Sequence, residues 1–381
     1  MDPFEQGNTE FALELYHQLG TGKGNLFFSP HSISTALGMT YAGARGETEV
    51  QMARALHFFV GQEQLHAAFA ALQAQLDSLA GQAQIQLTVA NSLWPQRGYP
   101  FLDEFLAMIR RSYGVEVTPI DYTDGAVARQ LINTWVEAKT EGKIKNLLLP
   151  PVPVPLTRLI LVNAIYFKGR WASQFDPSLT KNAPFWFTPA EQVQVPMMTQ
   201  MKLLQYGESD GLQILELPYH GAELSLTVLL PRARDGLTEL ERSLTLENLG
   251  RWTSHLRPAE VLVFLPRFEL TGKYQLDDQL IRMGMADAFS AEADFSGMDG
   301  REKWLYIGAI LHQACVEVNE EGTVAAAATA VITLEKSIGA PVPPTFRADH
   351  PFVFFIREHV MGSILFLGRI VNPGNADVCG D

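Results

Sequence analysis

The chain has 381 residues, 47% of them hydrophobic and 19% charged, an ordinary globular composition with material for a large core. Its formal net charge of -13 argues against a general nucleic-acid or polyanion binder, and no apolar run reaches membrane-spanning length. Two cysteines make neither a disulfide framework nor a CxxC pair, and none of the nine histidines pair at i,i+3 or i,i+4, so no metal or other cofactor is called for.

The amino terminus lacks a basic region followed by an apolar stretch and a small-residue cleavage site. As written the chain therefore reads as intracellular; a trimmed start would make it extracellular. Asn8 is expected to cap a helix over 8–19, with Phe11, Leu13, Leu15, Tyr16 and Leu19 as apolar positions. Helical patterns follow over 31–43, 47–56, 62–79, 101–111 and 125–140, punctuated by Gly43, Gly46 and Pro100. Residues 87–94 read as a strand between them. After residue 156 the character changes, and strands are expected at 159–167, 213–217, 224–230, 260–268, 314–318, 351–356 and 363–370. Helices first and strands later predict an α+β layer architecture. The proline-rich stretch 150–155 is short and reads as a surface loop, so a single domain over 1–381 is expected. Cys315 falls in an apolar strand-like run and is expected to be a small buried thiol, whereas Cys379 lies in a Gly- and Asp-containing tail.

Residues 320–334 read Glu-Glu-Gly-Thr-Val-Ala-Ala-Ala-Ala-Thr-Ala-Val-Ile-Thr-Leu: a charged pair, a glycine, then a run without charge, proline or bulky ring. As a strand, one face would present Thr323, Ala325, Ala327, Thr329, Val331 and Thr333, and the other Gly322, Val324, Ala326, Ala328, Ala330, Ile332 and Leu334. Both faces could be covered without burying a charge. No proline removes a ladder donor before Pro341, and Gly322 gives a hinge its backbone freedom. An alanine-rich run alone also suits a helix or a permanent strand; the rest of the chain decides between these readings.

Two motifs invite an enzymatic reading and fail it. Gly20-Thr-Gly-Lys-Gly24 lacks the spacing and the Ser/Thr of a phosphate loop. Gly207-Glu-Ser209-Asp-Gly211 fits the letters of a nucleophile elbow, but a helix must follow that serine, whereas 213–217 reads as a strand. A polar turn between strands is expected there.

Several segments, in order over some 350 residues, resemble one family. They include Asn25-Leu-Phe-Phe-Ser-Pro-His-Ser-Ile33, Asn133-Thr-Trp-Val-Glu-Ala-Lys-Thr-Glu-Gly-Lys-Ile144 and Leu161-Val-Asn-Ala-Ile-Tyr-Phe-Lys-Gly-Arg-Trp171. Glu216-Leu-Pro-Tyr219, Leu265-Pro-Arg-Phe268, His350-Pro-Phe-Val-Phe354 and Phe366-Leu-Gly-Arg-Ile-Val-Asn-Pro373 follow. The family is the serpins. The resemblance implies three β-sheets, eight or nine helices and an exposed reactive-centre loop over about 320–345. It also implies an irreversible inhibitor whose cleaved loop inserts into the central sheet with the protease attached as an acyl-enzyme. Fourteen residues at about 3.3 Å each would carry that enzyme roughly 45 Å, and distortion of its active site would stop hydrolysis.

By the same resemblance, Glu320, Glu321, Gly322, Thr323, Ala325, Ala326, Ala327 and Ala328 form the hinge of an inhibitory member. Family spacing places the reactive bond fourteen residues beyond Gly322, at Lys336-Ser337, which suits a trypsin-like serine protease. Cleavage after Leu334 or Glu335 would instead imply an elastase-like or Glu-directed target, and a cysteine protease also forms the required acyl intermediate. Ser29, Ser32, Asn163 and His312 match a polar cluster that lets the sheet open, and Trp171 matches a residue where loop entry begins. Residues 62–86 carry no Lys or Arg, which argues against glycosaminoglycan binding there. The expected partner is a serine protease, with no nucleic acid and no membrane; the inhibitor is a monomer, prone to loop-sheet polymerisation. The alternative on the same scaffold is a non-inhibitory carrier or chaperone.

Overall fold

A computed structural model describes residues 2–80, 84–115, 117–153, 157–321 and 342–375. Gly322, Thr323, Ala325 to Ala328, Lys336, Ser337 and Cys379 lie outside the described residues.

The helices of the first third follow the apolar periodicity, and their ends follow capping chemistry. Helix α1 (Pro3–Leu19) starts earlier than expected, because Asp2 is its cap and accepts a hydrogen bond from the Phe4 N–H at 2.8 Å, with proline at the first turn. Asn8 is instead buried within the helix, where its Oδ1 accepts from Ser34 Oγ at 3.4 Å. In α2 (Pro30–Tyr41) the cap is Ser29, whose Oγ accepts from the Ser32 N–H at 3.1 Å. Every residue of α2 is buried, as a helix in the middle of a large core must be. Helices α3 (Gly46–Ala55), α4 (Gln62–Ala80) and α5 (Asp103–Tyr113) surround it, and α5 ends at the left-handed Gly114. Helix α6 (Gly125–Lys139) is capped by Asp124, which accepts from the Ala126 and Val127 N–H groups.

Among the described residues, two sheets carry the strands. The four-stranded sheet runs β2 (Ile85–Pro95), β3 (Leu159–Gly169), β10 (Ile310–Val318), β9 (Phe268–Gln275). The other joins β1 (Leu26–Phe28), β13 (Ile364–Ile370), β12 (Phe352–Glu358), β7 (Leu224–Pro231), β6 (Leu212–Pro218), β5 (Gln192–Ser209), β8 (Arg257–Pro266) and β11 (Thr345–Arg347), with β4 (Lys181–Trp186) beside β5. The resemblance implied three sheets. Here β5 is long enough to pair β4 at its start, β8 through its middle and β6 at its end, so the ladder is continuous and two sheets merge into one.

Among the described residues there are ten α-helices, against eight or nine expected; the excess is in short segments. These late helices are α7 (Leu237–Arg242), α8 (Leu246–Thr253), α9 (Asp277–Arg282) and α10 (Ser296–Asp299).

Two apolar clusters flank the four-stranded sheet. Behind it lies the main core, into which α2 packs against β2, β3 and β13. In front, α6 lays Ala128, Ile132 and Val136 over Ala90, Ile160, Val162, Ala164 and Leu311. Covering both faces explains why β3 is buried at nearly every position and reads as an unbroken apolar run without alternation.

The Gly20–Gly24 loop finds a use opposite to phosphate binding. Its carbonyls turn inward around the guanidinium of Arg369, which donates to Gly24 O at 2.9 Å, to Gly20 O at 3.1 Å and to Gly22 O. The same guanidinium pairs with Glu241 at 2.5 Å. Inward carbonyls make a cradle for a cation, so no anion site is formed there.

Candidate functional site: the β3–β10 seam

The four-stranded sheet holds one parallel contact. β2 pairs β3 antiparallel, β9 pairs β10 antiparallel, and β3 and β10 between them run parallel, from Ile310 opposite Leu161 to Val316 opposite Phe167. A parallel pair in such a setting is the weaker ladder. It is also the one place where an added strand, returning from the end of β10, would be antiparallel to both neighbours.

A polar row crosses the sheet at one level: Asn91 stands opposite Asn163, Asn163 opposite His312, and His312 opposite Tyr274. The start of α2 lies against it. The Ser29 N–H donates to His312 Nε2 at 3.0 Å, which places the imidazole proton on Nδ1, facing Asn163 Oδ1. The Asn163 amide nitrogen donates to Ser32 O at 2.8 Å and lies 2.5 Å from both Ser32 Oγ and Asn91 Oδ1. Ser29 Oγ reaches the other sheet, donating to Leu365 O at 2.6 Å. The Tyr274 ring stacks on His312 with centroids 6.4 Å apart. Burial pushes the His312 imidazole down to about 3, so it is neutral at ordinary pH, as an Nε2 that accepts a hydrogen bond requires.

A second cluster closes the end of the seam from which residues 319–321 emerge. Trp171 stacks on Tyr219 with centroids 4.6 Å apart, and its Nε1 donates to Asn319 O at 2.8 Å. The Phe175 N–H donates to Glu320 O at 3.1 Å, and Gln174 Nε2 to Glu321 O at 2.9 Å. Glu320 itself is buried. Its carboxylate accepts from Thr180 Oγ1 at 2.6 Å and pairs with Arg267 at 2.5 Å. Burial works against its charge, but the bonds from Arg267 and Thr180 outweigh burial and hold the carboxyl below its usual value. Lys168, near the end of β3, pairs with Glu317, near the end of β10, at 2.6 Å.

Of the residues singled out from sequence, Ser29, Ser32, Asn163 and His312 come together in one network. Trp171 belongs to the separate cluster at the seam's end, with Glu320 and Glu321. Sequence reading missed Asn91, Tyr274, Tyr219, Thr180, Arg267 and the Lys168–Glu317 pair. A signal existed for Asn91, a polar residue inside the strand expected over 87–94, and for Tyr219, Arg267 and Lys168, which lie inside the family motifs; Tyr274, Thr180 and Glu317 need the fold.

Ser209 opens no catalytic elbow. Asp210 and Gly211, with φ of 53° and 77°, form a two-residue hairpin between β5 and β6, as the polar-turn reading expected. Cys315 is buried as expected, yet it is disulfide-bonded and so carries no thiol.

Comparison with known proteins agrees with this geometry. The family model Serpin (serine protease inhibitor) matches residues 6–373. Leukocyte elastase inhibitor of Sus scrofa is 44% identical, over 98% of this chain and 100% of that protein. The Homo sapiens protein of the same name is 43% identical over the same shares. Among solved structures, uncleaved ovalbumin superposes with a TM-score of 0.89 at 33% identity, over 98% of this chain and 100% of that one. A highly specific serpin of the insect Tenebrio molitor gives 0.84 at 32%, over 97% and 98% of the two chains. The chain belongs to the serpin family, and it is a protease inhibitor rather than an enzyme.

Proposed function

We propose that this serpin inhibits serine proteases by suicide: cleavage of the loop releases residues 322–334 to insert between β3 and β10, carrying the acylated protease along. The parallel β3–β10 seam carries this reading. Its replacement by two antiparallel contacts adds a ladder on each side of the incoming strand. Because the sheet is covered by α6 in front and by the main core behind, an incoming strand would be buried on both faces. Residues 322–334 meet that demand, since neither of their alternating faces holds a charge. The named hinge residues then divide by role: Glu320 and Glu321 anchor the exit of β10, and Gly322 begins the moving segment.

On the target, Lys336-Ser337 suits a trypsin-like protease with an acidic pocket. A second reading is favoured by the names of the relatives, which are leukocyte elastase inhibitors at 42–44% identity. An elastase-like protease would cut after Leu334. Incubation with trypsin and, separately, with leukocyte elastase at near-equal molarity, followed by denaturing gels and intact-mass analysis, tests both. A denaturant-stable adduct with trypsin and a released peptide starting at Ser337 would support the first reading. An adduct with elastase and a peptide starting at Glu335 would support the second. Cleavage with both enzymes fully active and no adduct would overturn covalent trapping by loop insertion.

A further inference from the structure

We propose that Lys168 and Glu317 form a latch across the seam, which sets how fast a strand enters and therefore how many inhibitor molecules are consumed per protease trapped. The proposal rests on the insertion reading above. Lys168 is the one charged residue of β3, and Glu317 is the one carboxylate of β10. They follow Phe167 and Val316, the last paired residues of the parallel ladder, so they face each other just beyond it. Their side chains are 18% and 24% exposed, and the Nζ–Oε1 distance is 2.6 Å. Asn319 Nδ2 donates to the same Glu317 oxygen at 2.7 Å, and the Tyr166 hydroxyl lies 3.5 Å from the other, so the carboxylate is held in place from both sides of the seam.

The position decides the role. Neighbouring strands lie about 4.8 Å apart, so one strand inserted between β3 and β10 sets them about 9.6 Å apart. The incoming residue must pass through the gap that this 2.6 Å bond now bridges, so the pair has to leave its present geometry for the strands to part. Because it stands one residue before the end of β10, it is met among the first contacts. The Glu320–Arg267 pair differs, since Arg267 lies next to β9, on the β10 side of the seam. Lys168 and Glu317 are thus positioning residues for the first step of entry.

The test uses Lys168→Met, Glu317→Gln, the double variant, and the charge swap Lys168→Glu with Glu317→Lys, all in the full chain. Amide hydrogen exchange of β3 and β10 in the uncleaved protein reports opening whether or not any protease is trapped. Each single variant is expected to raise exchange along the seam about fivefold, the worth of a partly exposed pair. The double variant adds nothing further, and the swap restores the wild-type rate. Inhibitor consumed per trapped protease is expected to move in the same order. Unchanged exchange in both single variants, or a swap that behaves like the double variant, overturns the latch. Should wild type trap no protease while exchange still responds with rescue by the swap, the clasp across the seam stands and the insertion reading falls.

Discussion

Acidification should weaken this fold from above the ordinary carboxylate range, because His312 and His31 are buried as neutral rings. Burial holds His312 down at about 3 and His31 at about 4, against an ordinary value of 6.5. A histidine whose folded value is depressed lets the unfolded chain take up the proton first. Its contribution is therefore complete above about pH 6.5 and is lost as pH falls towards the folded value. At pH 5 an unfolded imidazole favours the charged form by about 30-fold, worth roughly 2 kcal/mol for each ring. The two together should cost about 4 kcal/mol between pH 7.5 and pH 5, a large share of a typical stability of roughly 5–15 kcal/mol. His66, also lowered by burial, acts in the same direction. The assay is urea unfolding followed by tryptophan fluorescence at pH 7.5, 6 and 5, with imidazole signals titrated by NMR. A midpoint that stays level over that range, or a His312 ring titrating near 6.5, would refute the reasoning.

Three other outcomes are expected. Asn163→Ala strands the His312 Nδ1–H and removes the donor to Ser32 and Asn91, so the unfolding midpoint should fall by the equivalent of about 2–4 kcal/mol. Arg369→Met leaves the Gly20 and Gly22 carbonyls and Glu241 without their cation; breaking one side of so buried a pair should cost about 3–5 kcal/mol, read in the same assay. Thr323→Arg should turn inhibitor into substrate, because a charge would have to enter the sheet near the start of insertion; a loop cut without adduct is expected, and undiminished trapping would count against the hinge assignment.

Much of this was legible in the sequence where one face or both were apolar. Helices α2 to α6 and strands β2, β3, β6 and β7 fall within a few residues of their expected spans, because periodicity and capping are local. The long β5 was missed, as its polar and apolar residues alternate irregularly where it passes from one partner to another. Strand β9 went unseen for a related reason: Glu269, Thr271 and Lys273 dilute its apolar signal, and its place is fixed by pairing with β10. Within the site, Ser29, Ser32 and Asn163 were found through family motifs, and His312 through the family's polar cluster. Asn91 was visible as a polar residue within its strand, but only register ties it and Tyr274 to the cluster, and no local pattern encodes that register. The Lys168–Glu317 pair is the same case, with two residues 149 positions apart in sequence brought together by a parallel contact.

The most direct test of strand insertion is a crystal structure of the chain after a single cut within residues 335–337. The account predicts residues 322–334 lying between β3 and β10, antiparallel to both, with those two strands about 9.6 Å apart. A cleaved chain in which Val316 still stands paired with Phe167, and the sheet still has four strands, would contradict it.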